Sequence, residues 1–68
     1  MLKESIMESG KAHSIDFAER LINAGFTREE SIPFMGGIIQ LFERENGVKI
    51  DPFFKGYMTS AFLDTFDK

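Results

Sequence analysis

The apolar positions of this chain fall into three blocks, each repeating at three- and four-residue steps. The middle block, Ser31–Asn46, lies between two others whose apolar faces need a surface to cover. Ile32, Met35, Ile39 and Phe42 form one helical stripe, and Phe34, Ile38 and Leu41 form a second beside it. An arc that wide exceeds what a helix lying on one neighbour needs, so the pattern predicts a central helix covered on two sides. Asn46-Gly47 supplies a stop, since glycine readily takes the left-handed conformation at a helix C-terminus. The start has two candidates. Thr27-Arg28-Glu29-Glu30 matches a capping box, with Thr27 as N-cap and Glu30 at N3. Ser31 competes, because Pro33 is tolerated in a first turn but kinks a helix further in. The expected outcome is a turn of helix at 28–31, a bend at Pro33, and a main helix to about Glu45.

The first block, residues 1–25, reads as one helix if it continues through Gly10. Leu2 and Ile6 then share a face with Phe17 and Leu21. Ser14 is a rival start, as the cap of a shorter helix with Asp16 in its first turn. Ala24-Gly25 ends the element in either case, and Phe26 is placed to staple onto the next helix. Gly10, Ser14 and Ala18 form a stripe of small side chains that would admit a second helix closely. The reading adopted is plainer: small residues at the edge of an amphipathic helix, because the small-residue packing rule was framed for membrane helices. Gly36-Gly37 is the other small pair. Each glycine costs roughly 1 kcal/mol in a helix interior, so two together suggest either a bend near Pro33 or a close helix crossing.

The third block opens on Asp51-Pro52, a preferred N-cap followed by a preferred first helical residue. A helix is expected from Pro52 to about Phe66. It carries Phe53, Phe54, Tyr57, Met58, Phe62, Leu63 and Phe66, with Lys55, Thr59, Asp64 and Asp67 on a narrower polar side. That aromatic surface is wider than one neighbouring helix covers, so these seven residues are the expected protein-interaction patch. Val48 and Ile50, in the link between the second and third helices, are expected to plug the core from an extended segment. The fold expected is all-α: one domain over 1–68 with three helices near 3–24, 28–45 and 52–66, neighbours packed antiparallel, in a dimeric assembly.

Composition narrows this further. A 68-residue chain buries a smaller share of its surface than a larger one, and small folds gain stability from disulfides, a metal or a partner chain. There is no cysteine and a single histidine, so neither a disulfide frame nor a metal site is expected, and no cofactor is assigned. Eight Phe, one Tyr and four Met favour self-association instead. The net charge of −3 argues against nucleic acid as the main partner. No apolar run approaches the ~20 residues that span a bilayer, and the N-terminus lacks a signal-peptide core; a cytoplasmic location is the expectation.

Candidate chemistry is sparse. His13 and Asp16 are three apart, but catalysis or metal binding would need further groups, such as Glu19 or Asp64, converging on them. A surface histidine is the ordinary case. Ser–His–Asp chemistry has no nucleophile elbow to support it, and Gly36-Gly37 lies in no phosphate-loop pattern. Glu43-Arg44-Glu45 reads as a solvated end turn. The segment Leu21-Ile22-Asn23-Ala24-Gly25-Phe26-Thr27-Arg28-Glu29-Glu30 resembles helix–turn–helix connections of some transcription regulators, MerR-like proteins among them. The resemblance covers about ten residues of the 68 and is a local turn signature. The helix after it, IPFMGGIIQLF, is core-like, whereas phosphate contacts from Lys and Arg dominate DNA affinity.

The function expected is therefore a non-enzymatic protein-interaction or regulatory module, homodimeric or bound to a larger protein. The alternative is a dimeric DNA-binding regulator with Lys3, Lys11, Arg20, Arg28, Arg44, Lys49 and Lys55 gathered on one face.

Overall fold

The computed structural model describes residues 3–68, with side chains from Glu4 onward. Leu2 and the side chain of Lys3 lie outside the described residues. All regular structure among them is helical.

Helix α1 spans Lys3–Asn23 and runs through Gly10 without a break. Ser14 is not a cap: its Oγ donates to the Gly10 carbonyl at 3.0 Å. Gly25, at φ 93°, turns the chain, and the Phe26 N–H closes that turn on the Leu21 carbonyl at 2.9 Å. The capping box at Thr27 then starts α2, Arg28–Ser31. The Glu30 N–H donates to Thr27 Oγ1 at 3.2 Å, and the Thr27 N–H donates to Glu30 Oε1 at 2.9 Å. One turn of 3-10 helix, Ile32–Phe34, follows. It stands where the bend at Pro33 is expected, because proline brings no N–H to the α-helical ladder. Helix α3, Met35–Asn46, continues to Gly47, a left-handed cap at φ 62°.

Helix α4, Pro52–Phe66, begins at the expected cap: Asp51 Oδ1 accepts from the Phe54 N–H at 2.7 Å. The link before it is extended. Ile50 is buried and Val48 packs against the core. The Ile50 N–H donates to Glu43 Oε2 at 2.8 Å, so Glu43 ties the link to α3 instead of standing free in a solvated end turn.

The helices run up, down and up. Tyr57 donates to Glu8 at 3.2 Å near the start of α1, whereas Ile22 and Asn23 near its end line a groove with Thr65 and Lys68. Helices α1 and α4 are therefore parallel. His13 meets Ile38 and Phe42, while Leu21 lines a groove with Phe34, so α3 opposes α1. Phe42 meets Phe54 and Met35 lines a groove with Thr59, so α3 opposes α4 as well. The long dimension of 35 Å is close to the roughly 31 Å of a 21-residue helix such as α1.

Met35, Ile38, Ile39 and Phe42 supply half of the buried apolar core, completed by Ala18, Ile50, Met58 and Phe62. The central stretch thus fills the interior as expected. The closest helix pairing, however, is α1 with α4. Gly10, Ser14 and Ala18 are all buried, and a Cβ on Gly10 would lie 2.6 Å from Phe54 Cε1 and 3.1 Å from Met58 Sδ. The small-residue stripe is a close helix contact, which corrects the plainer reading of it. The hydroxyls buried in the molecule are satisfied within their own segments: Ser14 as above, Ser31 on the Thr27 carbonyl and Thr65 on the Ala61 carbonyl. Hydroxyls that bond back four residues can enter an apolar interior without an orphaned donor.

Candidate apolar docking groove

Two expected sites change once the helices are placed. The patch on α4 is largely interior. Met58 and Phe62 have no exposed surface, and Phe54, Leu63 and Phe66 pack half-buried against the core. Tyr57 is half-buried too. Of the seven, Phe53 alone stands well out, with 74 % of its surface exposed. The reason is that α4 has two neighbours: α1 covers one side, and the core residues of α3 meet the other. Gly36 and Gly37 change as well. Both are exposed, and a Cβ on either would meet nothing within 4 Å. Among the described residues no helix crosses there; the close crossing is at Gly10.

What the folded chain leaves open is a groove on the other side, between α1 and α3. Phe17, Arg20 and Leu21 line it from α1, Phe34 from the 3-10 turn, and Gly37, Ile38 and Leu41 from α3, enclosing about 370 Å³. Two features of the sequence build it. Phe34, Ile38 and Leu41 are the second stripe of the central helix, and only Ile38 of the three is fully buried. Gly37 contributes no side chain, so the middle of the stripe is a notch. Phe34 keeps 45 % of its surface exposed and is held in place by Phe26, whose ring meets it edge-on at 5.4 Å. Phe26 therefore does staple the turn, onto Phe34 in the 3-10 turn. Ile32 and Ile22 are exposed as well, but neither lines this groove; Ile22 lines the one shared with Thr65 and Lys68. The one charged lining residue, Arg20, sits over the Phe17 ring at 5.4 Å and pairs with Asp16 at 3.1 Å.

The sequence signal for this groove is the surplus apolar stripe on the central helix next to two glycines. Phe17 and Leu21 were visible only as inner-face residues of α1.

His13 sits where α1 meets α3. Its ring lies between Phe17, at 4.9 Å, and Phe42, at 5.4 Å. Nε2 is 3.2 Å from the Ile38 carbonyl oxygen, which can only accept, so Nε2 is the donor of this bond. The imidazole is a polar tie between α1 and α3. Among the described residues no three His, Asp or Glu side chains converge in a way that would hold a metal ion. A second groove of about 330 Å³, between α3 and α4, is lined in part by Gln40, Glu43, Lys55 and Thr59. The Glu43 carboxylate there already accepts from Ile50. No helix among the described residues is long and apolar enough to cross a membrane.

No protein-family model matches the chain, and neither a curated protein nor a solved structure is found to be similar to it.

Proposed function

We propose that this protein is a non-enzymatic interaction or regulatory module of the cytoplasm that works through an exposed apolar surface as a homodimer. The observation that carries this reading is the α1–α3 groove, apolar apart from Arg20 and left uncovered by the described residues. A cleft lined by aromatic and aliphatic side chains, with one charged group at its edge, is suited to receiving another apolar surface. It offers no nucleophile, base or set of metal ligands with which to act on a substrate. The alternative, a DNA-binding dimer of helix–turn–helix type, has less support. The helix following the turn gives Met35, Ile38, Ile39 and Phe42 to the core, and Arg20 is engaged by Asp16.

The test is binding of an apolar fluorescent dye to the purified chain, beside the variant Leu41→Glu. Enhanced fluorescence with the parent chain, reduced in the variant while helical circular dichroism is kept, supports the reading. No enhancement at any concentration, together with salt-sensitive binding to duplex DNA, would overturn it in favour of the alternative.

A further inference from the structure

We infer that the occupant of the groove is a second copy of this chain, packed antiparallel across α3 with Gly37 at the two-fold axis. This deepens the interaction reading above and rests on it. The argument starts from spacing. Glu30, Phe34, Gly37, Leu41 and Arg44 follow one another at steps of four, three, four and three, which keeps them on one helical stripe. The stripe survives the change of element, because Ser31, Ile32, Phe34 and Met35 all keep right-handed helical backbone angles.

Reflected through a two-fold axis at Gly37, this stripe complements itself. Phe34 lies three residues before the glycine and Leu41 four after it, about 4.5 Å and 6 Å along a helix axis. In an antiparallel pair, Phe34 of each copy therefore faces Leu41 of the other. Gly37 faces Gly37, where the absence of two side chains lets the backbones approach. Phe34 protrudes and the Gly37 notch recedes, so one copy supplies both the ridge and the groove that helix packing requires. An isologous contact needs this self-complementarity, with the same patch on both subunits.

Charge follows the same symmetry. Glu30 stands seven residues before Gly37 and Arg44 seven after it, so the antiparallel arrangement sets Glu30 of one copy against Arg44 of the other, twice. Both residues are exposed. Glu30 uses Oε1 for the Thr27 cap, leaving Oε2 for a partner. Arg44 forms no ion pair among the described residues. A parallel pair, or a shift by one residue, would lose this match and place like charges closer together.

Sedimentation velocity on the full chain, from low to high micromolar concentration, tests the proposal. The parent chain should pass from monomer to dimer. Gly37→Leu should weaken the dimer roughly a hundredfold, because the two-fold axis repeats each obstruction, yet leave the monomer folded, since a Cβ there meets nothing within 4 Å. Gly56→Leu, equally open on α4, should leave the dimer unchanged. Arg44→Glu should weaken it roughly tenfold, and adding Glu30→Arg should restore it. A dimer indifferent to Gly37→Leu and Arg44→Glu would overturn this geometry while the interaction reading stood. A parent chain that stays monomeric but binds the apolar dye would overturn the second copy as occupant and leave a different partner. A monomer that binds no dye would sink both.

Discussion

Gly10 in α1 and Gly37 in α3 both lie in helix interiors, where a glycine costs roughly 1 kcal/mol relative to alanine. At Gly10 the missing side chain is replaced by the edge of Phe54 and the sulfur of Met58, the nearest 2.6 Å from where a Cβ would stand. At Gly37 nothing comes within 4 Å. The first glycine is a packing requirement of the folded chain; the second destabilises its helix without a return from within the chain. The difference shows that a glycine's role depends on what the facing helix brings. Helix α4 brings the Phe54 ring and the Met58 sulfur to Gly10, and no element among the described residues faces Gly37.

The change expected to break this contrast most severely is Gly10→Leu. Four carbon atoms would have to enter space already held by Phe54, whose ring is itself backed by Phe42 at 6.0 Å. Overpacking of this kind costs about 3 kcal/mol, and a core this small supplies only about 3–5 kcal/mol in total. With at most about 2 kcal/mol left, the midpoint in urea titrations followed by circular dichroism should fall steeply. A near-native midpoint would mean that the α1–α4 crossing is looser than its geometry.

Gly10→Ala is a finer probe. Overlap costs about 1–3 kcal/mol and the helix gains about 1 kcal/mol, so a net loss of up to about 2 kcal/mol is expected. Trimming the facing ring with Phe54→Leu should recover part of it. A double-mutant cycle should therefore give a favourable coupling above about 0.5 kcal/mol; purely additive effects would show that Phe54 is not what fills the notch.

Asp51→Ala reaches the same contact from further away. The cap accepts the N–H of Phe54 itself at 2.7 Å, so it fixes the turn that aims the ring at Gly10. A loss of about 1 kcal/mol is expected. An unchanged denaturation midpoint with an unchanged slope would argue that the turn holds without its cap.

Caps and stops could be read from the sequence because they are local. Thr27 with Glu30, Asp51 with Pro52, and Gly47 each act on backbone within a turn, and each occurs where its residues predict. The three helices and the buried link at Ile50 follow from periodicity in the same way. What periodicity does not carry is which face meets which neighbour. Helix α4 is apolar nearly all round, which marks a helix covered on several sides; its breadth indicated burial of Met58 and Phe62, not an open patch. The open surface arose instead on α3, where the second stripe had too few neighbours, and on Phe17 and Leu21, whose position across from it depends on how the chain turns at Gly25. The lone histidine carried no signal of its partner, because Ile38 offers a backbone carbonyl that any residue would.

The smallest expected effect is also the one of opposite sign. Gly37→Ala should stabilise the monomer by about 0.5–1 kcal/mol, since α3 is helical at this position and alanine has fewer unfolded conformations to lose. The added methyl enters open space, so no overlap offsets the gain, unlike at Gly10. The measurement belongs at low concentration, where self-association does not contribute to the midpoint. There the denaturation midpoint should rise with no change in slope. Raising the concentration should then stabilise the parent chain more than the variant, because the same methyl occupies the notch a second copy would use. A variant less stable than its parent even when dilute would mean that something within the chain does approach Gly37, and the contrast between the two glycines would fail.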